Sequence, residues 1–224
     1  MDDLWVCELG SVPYGEALAL QEAVRAARQQ DAIPDVLLLL EHPPVYTRGR
    51  RTADAELPLA DHGIEIVDVD RGGKLTYHGP GQLVGYPIVR LGPIVEFLRT
   101  MEQAIVAALA SEGIEARGAD ERPTGVWVGD RKIASLGIHV QRRVSTHGFA
   151  INVDGDLEPF SWIVPCGLDG VQMTSVARET GQTGRMRCVR RRVAYELASA
   201  MGRRQRLVSR ARLEDAAGTR ALAA

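Results

Sequence analysis

Residues Thr124 to Val153 read TGVWVGDRKIASLGIHVQRRVSTHGFAINV. Three strand-like pieces, TGVWVGD, KIASLGIHV and VSTHGFAINV, are joined only by the short polar turns GDR and QRR. Turns of that length join antiparallel neighbours as a meander of hairpins. A doubly wound parallel sheet needs a helix between successive strands, and there is no room for one here. The stretch therefore predicts a mixed α+β architecture.

Upstream, GPIVEFLRTMEQAIVAALASEGI places Ile94, Phe97, Leu98, Met101, Ile105, Ala108 and Leu109 at helical spacing, with Gly113 as the stop. LVGYPIV, IEIVDVD (Ile64 to Asp70), DVLLLLE (Asp35 to Glu41) and LWVCEL read as strands. Pro13 opens a helix over YGEALALQEAVRAARQQ. HPPVYTRGRRT reads as a loop, because its paired prolines oppose a regular ladder. Downstream, a helix is expected near Arg191 to Met201, followed by an arginine- and alanine-rich tail expected to fray. Residues 1–202 are thus expected to form one catalytic-size domain and 203–224 a poorly ordered tail.

The chain has 224 residues, 45% of them hydrophobic, enough for a substantial core. A net charge of −2 and a pI near 6.2 argue against a nucleic-acid binder held by bulk electrostatics. No apolar run approaches membrane-spanning length, and the acidic start MDDLWVCELG lacks the positive region of a secretion signal. A soluble cytoplasmic protein without nucleic-acid or membrane partners is expected. Three cysteines, Cys7, Cys166 and Cys188, fit reduced thiols better than a disulfide framework. Only Lys74 and Lys132 are lysines, whereas 25 residues are arginines. Where arginine serves most cationic positions, a retained lysine suits a task needing a compact ammonium that can lose its proton.

Four segments carry chemistry. RGGKLTYHGPGQ (Arg71 to Gln82) holds four glycines among Arg71, Lys74, Thr76, Tyr77 and His78. Glycines let backbone amides approach a ligand, so this reads as a binding loop rather than a bare corner. It lacks the GK[ST] ending of a P-loop, and no helix follows directly as a dinucleotide fingerprint requires. KIASLGIHV starts on Lys132, and its small residues Ala134, Ser135 and Gly137 leave room for an apolar ligand or a close-packed strand. THGFAINV carries His147 and Gly148, a pattern as compatible with a structural histidine as with a catalytic one. In VPCGLDG, Cys166 stands in a Pro/Gly turn. A nearby ammonium such as Lys132 would stabilise its thiolate, and the amide after the thiol, at Gly167, could face an oxyanion. Alone, Cys166 could equally be a small buried hydrophobe. A zinc site of Cys166, His78, His139 and His147 competes, but no CxxC, HxxxH or HExxH spacing supports it, so no metal or cofactor is expected.

Together, RGGKLTYHGPGQLVGYPI, GVWVGDRKIASLGIHV, THGFAINV and PCGLDGVQMTSV, in this order, resemble the lipoyl(octanoyl) transferases, the octanoyl-acyl-carrier-protein:protein octanoyltransferases. The resemblance extends from the first strand to about Ala200. It implies a mixed sheet flanked by helices, similar to the catalytic domain of biotin and lipoate protein ligases. It implies Cys166 as acyl-thioester nucleophile and Lys132 as the residue that lowers its pKa. Substrate contacts are implied at Arg71, Gly72, Gly73, Lys74, Leu75, Thr76, Tyr77 and His78, at Ser135, Leu136 and Gly137, and at Gly148, Phe149 and Ala150. Ser135 stands where many members have alanine. The implied donor is octanoyl-acyl carrier protein; the implied acceptors are lipoyl domains of 2-oxoacid dehydrogenase complexes and the glycine cleavage H protein. The arginines of RMRCVRRR and GRRQRLVSR would suit an acidic carrier, or simply a solvated helix face and tail. Two alternatives remain: an ATP-dependent lipoate or biotin ligase, which needs no thiol, and a non-catalytic binder of acyl carriers or lipoyl domains.

Overall fold

The run DVLLLLE is apolar throughout because it has no solvent face. It forms strand β2 (Asp35–Glu41), with Leu37 and Leu39 in one apolar cluster and Val36, Leu38 and Leu40 in another, one on each side of the sheet. The computed structural model describes residues 2–58, 60–119, 124–163 and 171–219. Strand β1 (Asp3–Ser11) lies parallel to β2 on one side. On the other, β6 (Gln82–Ile88) runs antiparallel, and β9 (Val144–Asn152), β8 (Arg131–Gln141) and β7 (Gly125–Val128) continue antiparallel from it. With β10 (Arg204–Leu207) parallel to β1, the seven-stranded order is β10-β1-β2-β6-β9-β8-β7. The meander read from Thr124 to Val153 is the β7-β8-β9 edge of this mixed sheet.

Helices cover both faces. Helix α2 (Ile94–Ala110) buries Phe97, Met101, Ile105 and Ala108, and α4 (Met186–Ala200) buries Val189, Val193 and Leu197 beside it. Helix α1 (Tyr14–Gln29) lays Ala17, Leu20, Val24 and Ala27 on the opposite face. A short helix α3 (Val176–Thr180) precedes α4. A second sheet of three strands, in the order β4-β3-β5, is made by β3 (Val45–Arg48), β4 (Glu65–Asp68) and β5 (Thr76–His78). It packs with Leu157, Phe160, Ile163 and Met173 in a satellite core around Tyr46 and Tyr77.

Three expectations need correction. HPPVYTRGRRT is not all loop: Val45 to Arg48 form the central strand of the small sheet, because both prolines precede the ladder and none of its donors is lost. Helix α4 begins at Met186, five residues before the expected Arg191. The tail is structured over the described residues 203–219. β10 completes the sheet edge, its Arg204 donating to Asp3 (2.8 Å), while Arg203 donates to Asp2 (2.9 Å). Helix α5 (Arg210–Ala217) follows, capped by Ser209, and packs its fully buried Leu213 against the α1 side of the core. Residues 220–224 lie outside the described residues.

Candidate active site

Strict alternation along KIASLGIHV would turn Lys132 and Ser135 to opposite faces. The structure puts them on one face through a β-bulge. Val126 pairs with Ala134 and Trp127 with Lys132, so one step on β7 spans two on β8 and Ile133 is the extra residue. Trp127 and Gly125 share a face by alternation, and their partners Lys132 and Ser135 therefore share it too. Lys132 is 2% exposed. Its ammonium lies 5.4 Å from the centroid of the Trp127 ring, a cation–π contact that offsets part of the lost hydration.

Lys132 lines a cavity of about 600 Å³, a size suited to a small-molecule ligand. Beside Lys132, the wall contributed by β8 and β9 includes Ser135, Leu136, Gly137, Gly148, Phe149 and Ala150. Gly137 pairs with Gly148 across the ladder, and the loop after β4 lies against Gly137 and its neighbour: Gly72 N–H donates to Ile138 O (3.0 Å). A Cβ on Gly137 would stand 2.7 Å from Gly72 O, and one on Gly148 only 2.1 Å from Gly85 O. Arg71, Gly72, Gly73, Lys74, Thr76 and His78 also line the cavity. Leu75 and Tyr77, expected among the contacts, alternate away into the satellite core. Two of the lining cations are already engaged. Arg71 donates to the Thr47 carbonyl and hydroxyl (both 2.7 Å), and Lys74 is paired with Glu56.

The inner end is polar, formed by Tyr14, His78, Tyr86 and His147. Burial presses His78 down to about 3 and holds His42 and His147 below the ordinary value. Neutral rings fit the hydrogen bonds. His78 Nδ1–H donates to Gln82 (2.6 Å), and Gln82 in turn donates to Asn152 (2.9 Å). His42 Nδ1–H donates to Val12 O (2.6 Å) and its Nε2 accepts from the Tyr86 hydroxyl (2.7 Å). His147 Nε2–H donates to Asp70 (2.7 Å). Burial acts to raise Asp70, but that hydrogen bond, with His139 and Arg50 nearby, leaves it below the usual carboxylate value. Burial raises the Tyr14 phenol to about 12, so it remains a neutral donor.

Cys166 lies outside the described residues, as does the rest of 164–170. The chain that leaves this segment is tied to Lys132 itself: Lys132 N–H donates to Gln172 O (2.8 Å), and Thr174 N–H donates to Lys132 O (2.9 Å). The chain that enters it ends on Ile163 in the satellite core. Cys7 is fully buried, its thiol pushed up by burial to about 11, and Cys188 is exposed on α4. Sequence reasoning missed Tyr14, Tyr86, Ile94 and Leu98 in the cavity wall, since each reads as an ordinary core residue until the chain is folded. Arg187, Arg191 and Arg192 of α4 line a separate surface groove with Gln205 and Leu207 of β10, where Tyr195 and Leu207 are exposed.

Residues 13–198 match the family model of the lipoyl protein ligase A/B catalytic domain. The chain is 43% identical over 220 residues to the octanoyltransferase of Caldicellulosiruptor bescii, covering 94% of this chain and 96% of that one. It is 50% identical over 181 residues to the octanoyltransferase of Acidothermus cellulolyticus, covering 77% and 80%. Among solved structures, lipoate-protein ligase A bound with ATP superposes with a TM-score of 0.72 at 18% identity, covering 97% of this chain and 93% of that one. The bi-partite lipoate protein ligase of Thermoplasma acidophilum does so with a TM-score of 0.70 at 17%, covering 97% and 91%. The biotin protein ligase of Aquifex aeolicus gives 0.52 at 11%, covering 90% and 70%. These likenesses agree with the mixed sheet and flanking helices expected from the motifs. The fold, the matched catalytic-domain model and the curated relatives converge: the chain belongs to the lipoyl protein ligase A/B catalytic domain family, in company with its octanoyltransferases.

Proposed function

We propose that the protein transfers an octanoyl group from octanoyl-acyl carrier protein to the ε-amine of a lysine on lipoyl domains, through a thioester on Cys166. The observation that carries this reading is Lys132, buried at the wall of an apolar-sided cavity and hydrogen-bonded through its backbone to the chain leaving the PCG segment. Val171 follows Cys166 by five positions, a chain span of at most ~18 Å.

In the first half-reaction the Cys166 thiolate attacks the thioester carbonyl of the donor. The carbonyl–sulfur bond to the pantetheine breaks, and the Lys132 ammonium gives that sulfur its proton. In the second, the acceptor amine attacks the acyl-enzyme, neutral Lys132 takes the amine's excess proton, and the Cys166 thiolate leaves. Thioester exchange is close to isoenergetic and amide formation runs downhill, so the sequence requires no ATP. Lipoyl domains of 2-oxoacid dehydrogenase complexes and the glycine cleavage H protein are the proposed acceptors.

Intact-mass measurement after mixing the protein with octanoyl-acyl carrier protein tests the reading. An octanoyl adduct is expected on the wild type and on Cys7→Ala and Cys188→Ala, and none on Cys166→Ala. Acylation on another residue overturns the nucleophile assignment. Product formed only from free octanoate with ATP moves the protein to the ligases.

A further inference from the structure

We propose that Glu102 is a positioning residue for Lys132, acting through the backbone amide of Gly125. Glu102 sits on α2 at i+8 from Ile94 and i+4 from Leu98, both of which line the cavity, so one helix stripe runs from the cavity wall to this carboxylate. The side chain is 3% exposed. A carboxylate so buried is held by specific partners. Oε1 accepts from Gly125 N–H (3.0 Å) and Oε2 from Arg99 Nη1 (2.7 Å).

Gly125 is where the lysine rests. A Cβ built there would stand 2.4 Å from Lys132 Cε and 3.1 Å from its Nζ, so the end of the lysine occupies the notch that the missing side chain leaves. The Trp127 ring bounds the ammonium from the same strand. The first residue of β7 is thus pinned at its N–H by a helix carboxylate while its Cα side receives the lysine. Moving Gly125 moves the floor under the ammonium, and Glu102 fixes Gly125. The bulge at Ile133 chooses the face on which Lys132 emerges; Glu102 sets the height at which it lies.

The inference rests on the proposed role of Lys132 in transfer, but its test has a readout that does not. The chain contains only two lysines, so ε-¹³C-lysine labelling yields two NMR signals, assigned with Lys74→Arg. Glu102→Leu is expected to shift the Lys132 signal and leave that of Lys74 in place. It should also slow single-turnover octanoyl transfer by about tenfold to a hundredfold, within the usual reach of acid–base positioning, with donor KM little changed. Glu102→Gln keeps an oxygen acceptor for Gly125 N–H and should retain the wild-type Lys132 signal and most of the rate. If Glu102→Leu does not fold, Gly125→Ala tests the same notch from its other side and should shift the same signal. An unmoved Lys132 signal in a folded Glu102→Leu or Gly125→Ala protein overturns the inference, as does a Gln variant that behaves like the Leu variant. A wild type that transfers no octanoyl group refutes the transferase reading instead, and the Lys132 signal still reports on the notch.

Discussion

The two lysines divide at the residue scale. Lys74 is partly exposed and paired with Glu56; Lys132 is buried at the cavity. For Lys132 the question is whether charge alone suffices. Lys132→Arg keeps the charge, yet a guanidinium does not deprotonate in proteins and cannot take the acceptor's proton. Acylation of the variant is expected to remain measurable, while amide transfer falls by about two to four orders of magnitude. Single-turnover rates for the two half-reactions, measured separately, decide it. Near-normal transfer would leave Lys132 an electrostatic partner only. Sequence marked Lys132 because lysine is scarce. It could not mark Glu102 or Gly125, whose meaning arises only when α2 and β7 meet.

At the scale of elements, the meander from Thr124 to Val153 was readable because each strand has its own apolar pattern and each turn is short. The bulge was not readable, since one inserted residue leaves the composition of a strand unchanged while reversing the faces beyond it. β3 was obscured by its neighbouring prolines, and α4 by arginines that mask the spacing of Val189, Val193 and Leu197. The pairing of β6 with β9 offers a test of how closely the cavity wall is built. The carbonyl of Gly85 occupies the place of a side chain at Gly148, and Pro87 Cδ lies 2.5 Å from the same point. Backbone cannot rotate aside as a side chain can. Gly148→Ala is therefore expected to cost about 1 to 3 kcal/mol in a denaturant titration and to reduce octanoyl transfer in the folded fraction. A variant of unchanged stability would show that the wall has slack.

Across the whole molecule, buried imidazoles tie stability to pH. His78 falls from 6.5 to about 3 on folding, so between those values the unfolded chain takes up a proton that the folded chain refuses. Its contribution is complete above pH 6.5 and is lost as pH falls toward 3. His42 and His147 shift in the same direction for the same reason. Melting temperature should begin to decline below about pH 6.5, before most carboxylates titrate, and His78→Gln should flatten that decline. An identical pH profile in the variant would mean that His78 is not the group excluding the proton. The ordered tail was the largest feature hidden from sequence. Its residues look like solvated arginine and alanine, and its structure comes from a distant strand that supplies both a ladder and two aspartates.

That distance along the chain has a consequence during synthesis. The partner of Asp3 is Arg204, 201 residues later. At ~5–20 residues per second, β1 leaves the ribosome ~10–40 s before the strand that covers its outer edge. Throughout that interval Leu4, Trp5 and Val6 flank a row of backbone groups open to any extended peptide. Asp2 and Asp3 stand at the head of that row, so two copies pairing parallel and in register bring like charges together. The same aspartates that repel a neighbouring nascent chain then receive Arg203 and Arg204 of their own. The acidic pair serves first as a guard on an unfinished sheet and afterwards as the clasp that closes it.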